Sequence, residues 1–379
     1  MSTTRRGFVS ALGAAGAASL FPSISARGME ASRWNLDPSE DAVSHVIRID
    51  SNENPNGPGG HVLDAIRGKF GEASRYGKIP SEELRVAIAK QHGVSPDNVQ
   101  LGCGSTDILR MGVYAYTSPT LALVSGGPTF EDPGRQAEVN GAKVRAVPVR
   151  GDLKLDLDAM ISQCDGAGLV FLCNPNNPTA TVHGKDAIAD FVSRVLRASP
   201  GTTILIDEAY HEYVEDPAYA TAIPLAMENP RVIVSRTFSK VYGMAGLRIG
   251  YAIAHPDTIK AMARYRMPNA VNTLGAVAAV AALNDTNHIA REQKLNHASK
   301  EYTRRFFVDS GYNVGSSDAN FLMIDIKRDS KEFQEKCKAR GVLVGRQFPP
   351  LLSYARISIG TMGEMRKATE VFKSVLLNG

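Results

Sequence analysis

The chain has 379 residues, of which 43% are hydrophobic and 22% are charged, and this balance excludes a disordered protein, a collagen-like fibre and a disulfide-rich miniprotein. The 43 basic and 39 acidic residues give a net charge of +4 and are spread along the chain, so we predict no nucleic-acid interface. The length suits two or three domains, or one large α/β unit with an appendage.

The first 28 residues have the composition of an export signal. Arg5 and Arg6 are followed by an uncharged, weakly apolar stretch from Phe8 to Phe21 and then by small residues. A basic start, an apolar middle of about 7–15 residues and a small-residue end are typical of such signals, and the paired arginines resemble the twin-arginine type. The stretch is too short and too mild to span a membrane stably. We predict export to the periplasm by the twin-arginine machinery; the alternative is a cytoplasmic protein with a non-functional leader.

After the leader, apolar β-rich runs alternate with stretches of helical periodicity. The strands predicted for one sheet are Val99–Leu101, Leu121–Val124, Val144–Val149, Leu169–Leu172, Ile204–Ile206, Val232–Val234 and Ile249–Ile253. Runs that are apolar at successive positions favour strands covered on both faces. Helices are predicted between them, for example over Asp107–Tyr116 and Lys185–Leu196. This order predicts an α/β fold with a mostly parallel seven-stranded sheet and helices on both of its faces.

The pattern changes from about residue 268. Two helical stretches are followed by two strand-like runs: Leu274–Leu283, His288–Asp309, Asn320–Ile326 and Arg356–Ile359. We therefore predict a large domain over residues 61–267 and a smaller α+β domain over residues 268–379. Residues 29–60 are predicted to form an N-terminal arm and part of the smaller domain.

Cysteine spacing gives no sign of a metal site or of a disulfide framework. The four cysteines form no CxxC pair, although a single bridge such as Cys164–Cys173 is left open. The GxSxG pattern of serine hydrolases and the HExxH pattern of zinc peptidases are absent as well. Neither class of enzyme is therefore predicted.

Polar residues follow several predicted strands, and the carboxyl ends of parallel strands are where ligands bind in open α/β sheets. Lys240 follows one of these strands in a turn that also contains Thr237, Ser239 and Arg248. Hydroxyl groups and a guanidinium suit an anionic phosphate, and a lysine whose ammonium form is destabilised can react as an amine with a carbonyl. A solvated surface lysine is the simpler interpretation of such a residue taken alone.

A second candidate for phosphate binding precedes a predicted helix. Gly104, Ser105 and Thr106 stand where the helix begins, and the free N–H groups of a helix start attract phosphate. A simple Gly-Ser helix start without a ligand is the alternative. The segment lacks the full Walker or GxGxxG pattern, so nucleotide binding is not predicted.

Four further side chains suit a heteroaromatic ligand. Asp207 ends a strand, where its carboxylate can either cap a helix or hold a ring nitrogen protonated. Asn177 and Tyr210 are suited to hydrogen-bond a phenolic oxygen. Phe130 ends another strand and is suited to stack on an aromatic face.

In their order and spacing, these motifs resemble the fold-type I aminotransferases that use pyridoxal 5′-phosphate, and most of all the histidinol-phosphate aminotransferase branch. The motifs are GPTF (127–130), NPNNPT (174–179), DEAY (207–210) and TFSKVYGMAGLRIGY (237–251). The segments NENPNGP (52–58), RY (75–76) and RISIG (356–360) extend the resemblance. It covers roughly residues 45–365.

The resemblance implies a role for each cofactor-binding residue. Lys240 would form a Schiff base with pyridoxal 5′-phosphate and carry a proton during catalysis. Asp207 would pair with the pyridine nitrogen, Asn177 and Tyr210 with the ring oxygen, and Phe130 with the ring face. The cofactor phosphate would be bound by Gly104, Ser105, Thr106, Thr237, Ser239 and Arg248.

The resemblance also implies substrates and a partner. Arg356 would bind the substrate α-carboxylate, and Asn54 and Arg346 would contact the substrate as well. Tyr76 would reach the cofactor phosphate of a neighbouring subunit, which implies a homodimer with shared active sites. The implied reaction moves an amino group from an L-amino acid, or an amino-alcohol phosphate, to a 2-oxo acid.

Two alternatives to this reaction stay open. One is a decarboxylase or lyase of the same fold, similar to threonine-phosphate decarboxylases, which differs only in the bond broken at Cα. The other is a true histidinol-phosphate aminotransferase, although the segment around Arg346 departs from the basic segment of that branch and the pathway is cytoplasmic.

Overall fold

The computed structural model describes residues 46–377, so the predicted export signal lies outside the described residues. In chain order the strands are β1 (Ile47–Ile49), β2 (Val99–Cys103), β3 (Ala122–Gly127), β4 (Val144–Pro148), β5 (Ala167–Cys173), β6 (Thr203–Asp207), β7 (Val232–Thr237), β8 (Ile249–Ala254), β9 (Asn313–Val314), β10 (Phe321–Asp325), β11 (Val342–Val344) and β12 (Tyr354–Ser358).

The helices lie between and after these strands. They are α1 (Gly60–Arg67), α2 (Lys78–His92), α3 (Ser105–Tyr116), α4 (Asp132–Val139), α5 (Leu157–Ser162), α6 (Lys185–Ala198), α7 (Ile223–Glu228), α8 (Pro256–Ala263), α9 (Thr273–Leu283), α10 (His288–Asp309), α11 (Ser330–Lys338) and α12 (Met362–Leu376). Within the described range, none of them is long and apolar enough to cross a membrane.

The seven predicted strands of the main sheet are all present, in the order β2-β8-β7-β6-β5-β3-β4. Neighbours from β7 to β4 are parallel, whereas β8 runs antiparallel to both β7 and β2. Every residue of β5 is buried, which is the reason for its uninterrupted apolar sequence. The prediction of a mostly parallel α/β sheet is confirmed.

Local sequence explains where the helix before the cavity begins. Helix α3 starts at Ser105, two residues before the predicted start, because Gly104 adopts a positive φ of 76° and turns the chain out of β2. This turn brings the first N–H groups of α3 to the end of the sheet. Helix α10 has the bounds that its periodicity predicted.

A second hydrophobic core lies among the C-terminal elements. Strand β1 pairs in parallel with β11, and β10 pairs antiparallel with both β9 and β12. Their inward side chains pack with Phe307, Phe333 and Phe372, apart from the core of the large sheet. The described residues nevertheless belong to one compact unit, so the domain boundaries stay a prediction.

The open question of a disulfide is settled against one. Cys164 and Cys173 are both free and buried. The thiol of Cys164 donates to the Met160 carbonyl, 3.2 Å away, and that of Cys173 donates to the Pro175 carbonyl at 3.2 Å. Each thiol therefore donates to a backbone carbonyl within four residues of it in the chain.

Gly250 provides a test of how tightly the sheet packs against α3. A Cβ at this position would overlap with the Ser105 nitrogen and with the carbonyl carbon of Gly104. We expect Gly250→Ala to lower the free energy of unfolding by about 1–3 kcal/mol, because backbone rather than a flexible side chain has to move. The measurement is urea unfolding. Gly151→Ala is the control, since a Cβ there meets no atom within 4 Å, and equal stability of the two variants would contradict this packing.

Candidate functional site

A cavity of about 750 Å³ opens at the carboxyl ends of β3, β5, β6 and β7, the edge that parallel-sheet topology predicted. It brings together twelve of the predicted site residues. These are Ser105, Thr106, Phe130, Asn177, Asp207, Tyr210, Thr237, Ser239, Lys240, Arg248, Arg346 and Arg356.

The Lys240 amine lies on the floor of the cavity. Its Nζ donates to the carbonyl oxygens of Asn52 and Ser51, at 3.0 and 3.3 Å. Burial, and then the positive charge of Arg356, lower the pKa of the Lys240 ammonium to about 8. About a tenth of this lysine is therefore an unprotonated amine at pH 7, far more than for an ordinary lysine, and the amine is the form that reacts with carbonyl groups.

Asp207 ends β6 beside Lys240. Its side chain is 3% exposed, and its Oδ1 atom has no hydrogen-bond partner. Burial raises the pKa of Asp207 to about 7. A buried carboxylate oxygen without a donor is costly, so the site suits a ligand that brings an N–H or a positive charge to this atom.

Tyr210 and Asn177 connect the cavity floor to distant segments. The Tyr210 hydroxyl accepts a hydrogen bond from the Asn52 side chain at 3.0 Å, and burial raises the pKa of Tyr210. The Asn177 side-chain oxygen accepts a hydrogen bond from Arg356 at 2.8 Å. Both side chains thus have one partner in the protein and still line the cavity.

One end of the cavity is a cradle for an anion. Ser105 starts α3, and Arg248 adopts a positive φ of 57° beside it. The Arg248 carbonyl accepts a hydrogen bond from the Gly104 N–H at 3.0 Å, and a Cβ at Gly104 would overlap with the guanidinium of Arg248. Gly104 therefore backs the cradle rather than lining it. The hydroxyls of Thr237 and Ser239 lie 3.0 Å apart at the same end.

The other end of the cavity carries two arginines around one aromatic ring. The guanidinium carbons of Arg346 and Arg356 lie 4.2 and 4.8 Å from the centroid of Phe348. Arg356 is 8% exposed, and its Nε has no hydrogen-bond partner. Arg346 is more exposed and forms a 2.6 Å ion pair with Glu131.

Besides Gly104, two predicted residues are not among those that line this cavity. The side-chain amide of Asn54 donates to the Val241 carbonyl at 2.8 Å and to Glu292 at 3.1 Å, so it holds the arm against the segment that follows Lys240. It is not among the residues that line the cavity, and its predicted contact with the substrate stays a prediction. Tyr76 is 78% exposed on the surface of its own chain.

Asn52 is a further site residue, which the sequence motifs did not reveal. It has a positive φ of 54°, its side chain bonds Tyr210, and its backbone carbonyl accepts from Lys240. The Ser358 hydroxyl donates to its side-chain oxygen at 2.7 Å. The only signal in the sequence was its place in the NENPNGP motif, since its partners lie more than 150 residues away.

A buried ion pair behind the site was missed too. Glu208 and Arg236, whose side chains are 1% and 4% exposed, lie 2.7 Å apart. They directly follow Asp207 and precede Thr237, so the pair joins the ends of β6 and β7. Thr221 and the backbone N–H of Ala222 complete the hydrogen bonding of Glu208, at 2.8 and 2.6 Å.

Comparison with known proteins agrees with this geometry. The family model "Aminotransferase class I and II" matches residues 44–372. The chain belongs to this family. Its membership confirms the resemblance seen in the motifs, and the fold-type I architecture with it.

Relatives in the family are similar over most of their length. The histidinol-phosphate aminotransferase of Moorella thermoacetica is 36% identical over 334 residues, covering 87% of this chain and 84% of the relative. Histidinol-phosphate aminotransferase 1 of Nitrosococcus oceani is 34% identical over 343 residues, covering 89% and 90%. The crystal structure of the histidinol-phosphate aminotransferase from Sinorhizobium meliloti in complex with pyridoxal 5′-phosphate has a TM-score of 0.81 and 28% identity, covering 88% and 91%.

The predicted activity and cofactor are therefore confirmed: the chain is a pyridoxal-phosphate-dependent aminotransferase. The residues of the cavity fit this cofactor. The unpartnered Asp207 oxygen suits a protonated ring nitrogen, and the cradle at Arg248 and Ser105 suits a phosphate. Lys240 lies in the same cavity as an amine of low pKa.

The shifted pKa of Lys240 predicts a pH-dependent stability of the protein stripped of cofactor. Below pH 8 the folded state carries a buried ammonium; above pH 8 it loses that proton, whereas the unfolded state keeps it up to about pH 10.5. The cost of burying Lys240 is thus full at pH 7 and declines as pH rises. We expect Lys240→Met to be more stable than the wild type by about 1–3 kcal/mol at pH 7, and by clearly less at pH 9.5.

Urea unfolding at the two pH values measures this difference. Lys260→Met is the control, because the Lys260 side chain is 78% exposed and its replacement is expected to have the same small effect at both pH values. If the difference in free energy of unfolding between Lys240→Met and the wild type does not change with pH, the Lys240 ammonium is not destabilised in the folded protein.

Proposed function

We propose that the cavity transfers an amino group between an L-amino acid, or an amino-alcohol phosphate, and a 2-oxo acid, with Lys240 as the lysine that forms the Schiff base. The observation that carries the assignment is the convergence of three groups in one cavity. These are the low-pKa amine of Lys240, the unpartnered carboxylate of Asp207 and the buried guanidinium of Arg356.

The bound cofactor supplies an aldehyde that combines with amines and a ring that accepts electrons when a bond at Cα breaks. Asp207 is assigned to hold the ring nitrogen protonated, with Phe130 against the ring face. Tyr210 and Asn177 are assigned to its ring oxygen. The cradle of Ser105, Thr106, Thr237, Ser239 and Arg248, with Gly104 behind it, is assigned to the phosphate.

Lys240 is the acid–base residue of this proposal. Its amine, once free of the ammonium proton, can take a proton from the substrate Cα and return it elsewhere on the reacting system. The carbonyl oxygens of Ser51 and Asn52 hold the amine on the cavity floor. Asn52 also fixes the Tyr210 hydroxyl, so one residue of the arm orients two reacting side chains.

Arg356 is assigned to the carboxylate of the substrate. Its side chain is oriented by Asn177 and by the backbone carbonyl of Asp50, and its Nε is left without a partner. A planar guanidinium binds a carboxylate through two parallel hydrogen bonds, which fixes the position of Cα relative to Lys240. Arg346 lines the same end of the cavity.

We further assign Tyr76 to the active site of a second subunit. A tyrosine that is 78% exposed and lies outside its own cavity is available to a neighbouring copy. This supports the homodimer with shared active sites that the family resemblance implied.

The function is tested by single turnover of the holoprotein with a panel of amino donors. We expect a productive donor to remove the visible absorbance of the lysine-bound cofactor and to release one equivalent of 2-oxo product. Lys240→Ala should lower the rate by at least about 10³-fold. The single Lys240 amine both binds the cofactor and moves the proton, and alanine can do neither. Lys260→Ala, at an exposed position, is the control.

Other outcomes of the same experiment identify the alternatives. Release of CO₂ in place of a 2-oxo product would establish a decarboxylase. Turnover of histidinol phosphate as the only efficient donor would establish a histidinol-phosphate aminotransferase. Full activity of Lys240→Ala would refute the assignment of this lysine.

We also propose that residues 1–28 direct export to the periplasm by the twin-arginine machinery. The support is the pair Arg5–Arg6 ahead of a weakly apolar stretch. We expect a reporter fused to residues 1–30 to be exported, and the change of Arg5 and Arg6 to Lys to abolish export. Export that survives this change would refute the proposal, and a reporter retained inside the cell by the unchanged leader would favour the cytoplasmic alternative.

A further inference from the structure

The charged groups at the substrate end of the cavity distinguish between the two kinds of amino donor that the proposed function leaves open. An α-amino acid presents a carboxylate with one negative charge. An amino-alcohol phosphate presents a phosphate ester that carries about −1.5 to −2 charges at neutral pH. The second kind of donor therefore needs more cationic side chains that are not already paired with a carboxylate of the protein.

Arg346 is ion-paired with a carboxylate of the protein. Its Nη2 lies 2.6 Å from Oε1 of Glu131, the residue that follows Phe130. The other oxygen of Glu131 accepts a hydrogen bond from Arg135 at 2.5 Å. One carboxylate of the protein thus lies between the two outer guanidiniums of the cavity, where a substrate anion would otherwise bind.

Further carboxylates line the same cavity. Asp50 and Asp132 each have a buried oxygen without a hydrogen-bond partner, and Glu53 lines the cavity as well. Away from Lys240, Asp207 and the phosphate cradle, the lining carries four carboxylates and three guanidiniums. Glu53 is paired with Arg48 at 3.3 Å, so the remaining three carboxylates equal the three guanidiniums in number, and a dianion entering this region meets no excess of positive charge.

Arg356 forms no ion pair with any described carboxylate, although the negative charge of Asp50 lies close enough to act on its guanidinium. Its hydrogen bonds go to a side-chain amide and a backbone carbonyl, and its buried Nε lacks a partner. One guanidinium matches one carboxylate in charge and in geometry. Both guanidiniums also lie over the ring of Phe348, and Arg346 differs from Arg356 in being ion-paired with Glu131.

From this arrangement we infer that Glu131 is a specificity-determining residue that directs the site to α-amino acids and against amino-alcohol phosphates. The inference rests on the proposed aminotransferase function. The Glu131 carboxylate neutralises Arg346 and repels a phosphate dianion, while it leaves Arg356 free for a single carboxylate.

The experiment compares donors that differ only in the anionic group. The holoenzyme reacts in single turnover with L-histidine and L-histidinol phosphate, with L-phenylalanine and L-phenylalaninol phosphate, and with L-leucine and L-leucinol phosphate. The loss of the visible absorbance of the cofactor gives kcat/KM for each donor. The quantity compared is the ratio of the carboxylate donor to the phosphate donor within each pair.

We expect the wild-type ratio to exceed one in every pair that reacts, and Glu131→Gln to lower it by about tenfold through faster reaction of the phosphate donors. Arg135→Gln is the matched control, because it removes the other partner of Glu131 and keeps the Glu131–Arg346 pair. It should not lower the ratio. Thermal unfolding verifies that both variants are folded, as expected for partly exposed ion pairs.

The inference is overturned if the wild type prefers the phosphate donors, if Glu131→Gln leaves the ratio unchanged, or if Arg135→Gln lowers it equally. In these cases the donors still react, so the proposed aminotransferase function stands. If none of the six donors converts the cofactor, the proposed function itself fails and the inference fails with it.

Discussion

The amine of Lys240, partly buried on the cavity floor, is the group on which the rest of this site depends. Its ammonium form is costly because the surrounding protein removes part of its hydration and because Arg356 adds a second positive charge nearby. The protein tolerates this cost by giving Nζ two backbone carbonyls and by placing the Asp207 carboxylate in the same cavity. An arrangement of this kind sacrifices stability for reactivity, as strained functional sites commonly do.

Three segments that are far apart in the chain hold this amine. Strands β6 and β7 are adjacent and in parallel register, with Asp207 opposite Ser235, so the ends that carry Asp207 and Lys240 lie side by side. The buried pair of Glu208 and Arg236 joins these ends from behind. The arm residue Asn52 then closes the cavity floor, bonded to Tyr210 on one side and to Ser358 on the other.

The two ends of the cavity differ in how their positive charge is used. At the cradle, Arg248 lies beside a helix start and hydroxyl groups, with Gly104 making room for its guanidinium. At the substrate end, Glu131 neutralises Arg346, and Arg356 has no carboxylate as a partner. The first end therefore suits a phosphate, and we propose that the second end binds a carboxylate.

Local sequence determined the strands of the main sheet, the helix from His288 to Asp309 and the position of Lys240 after a buried strand, because hydrophobic periodicity and turn residues act over a few positions. The ordered motifs identified the family for the same reason, since each is a short segment. Tertiary structure alone decided that Asn54 bonds Glu292 and Val241 outside the cavity, that Asn52 lies within it, and that Glu131 neutralises Arg346. These contacts join residues that are 158 to 238 positions apart, and no local pattern specifies which side chains meet once the chain has folded.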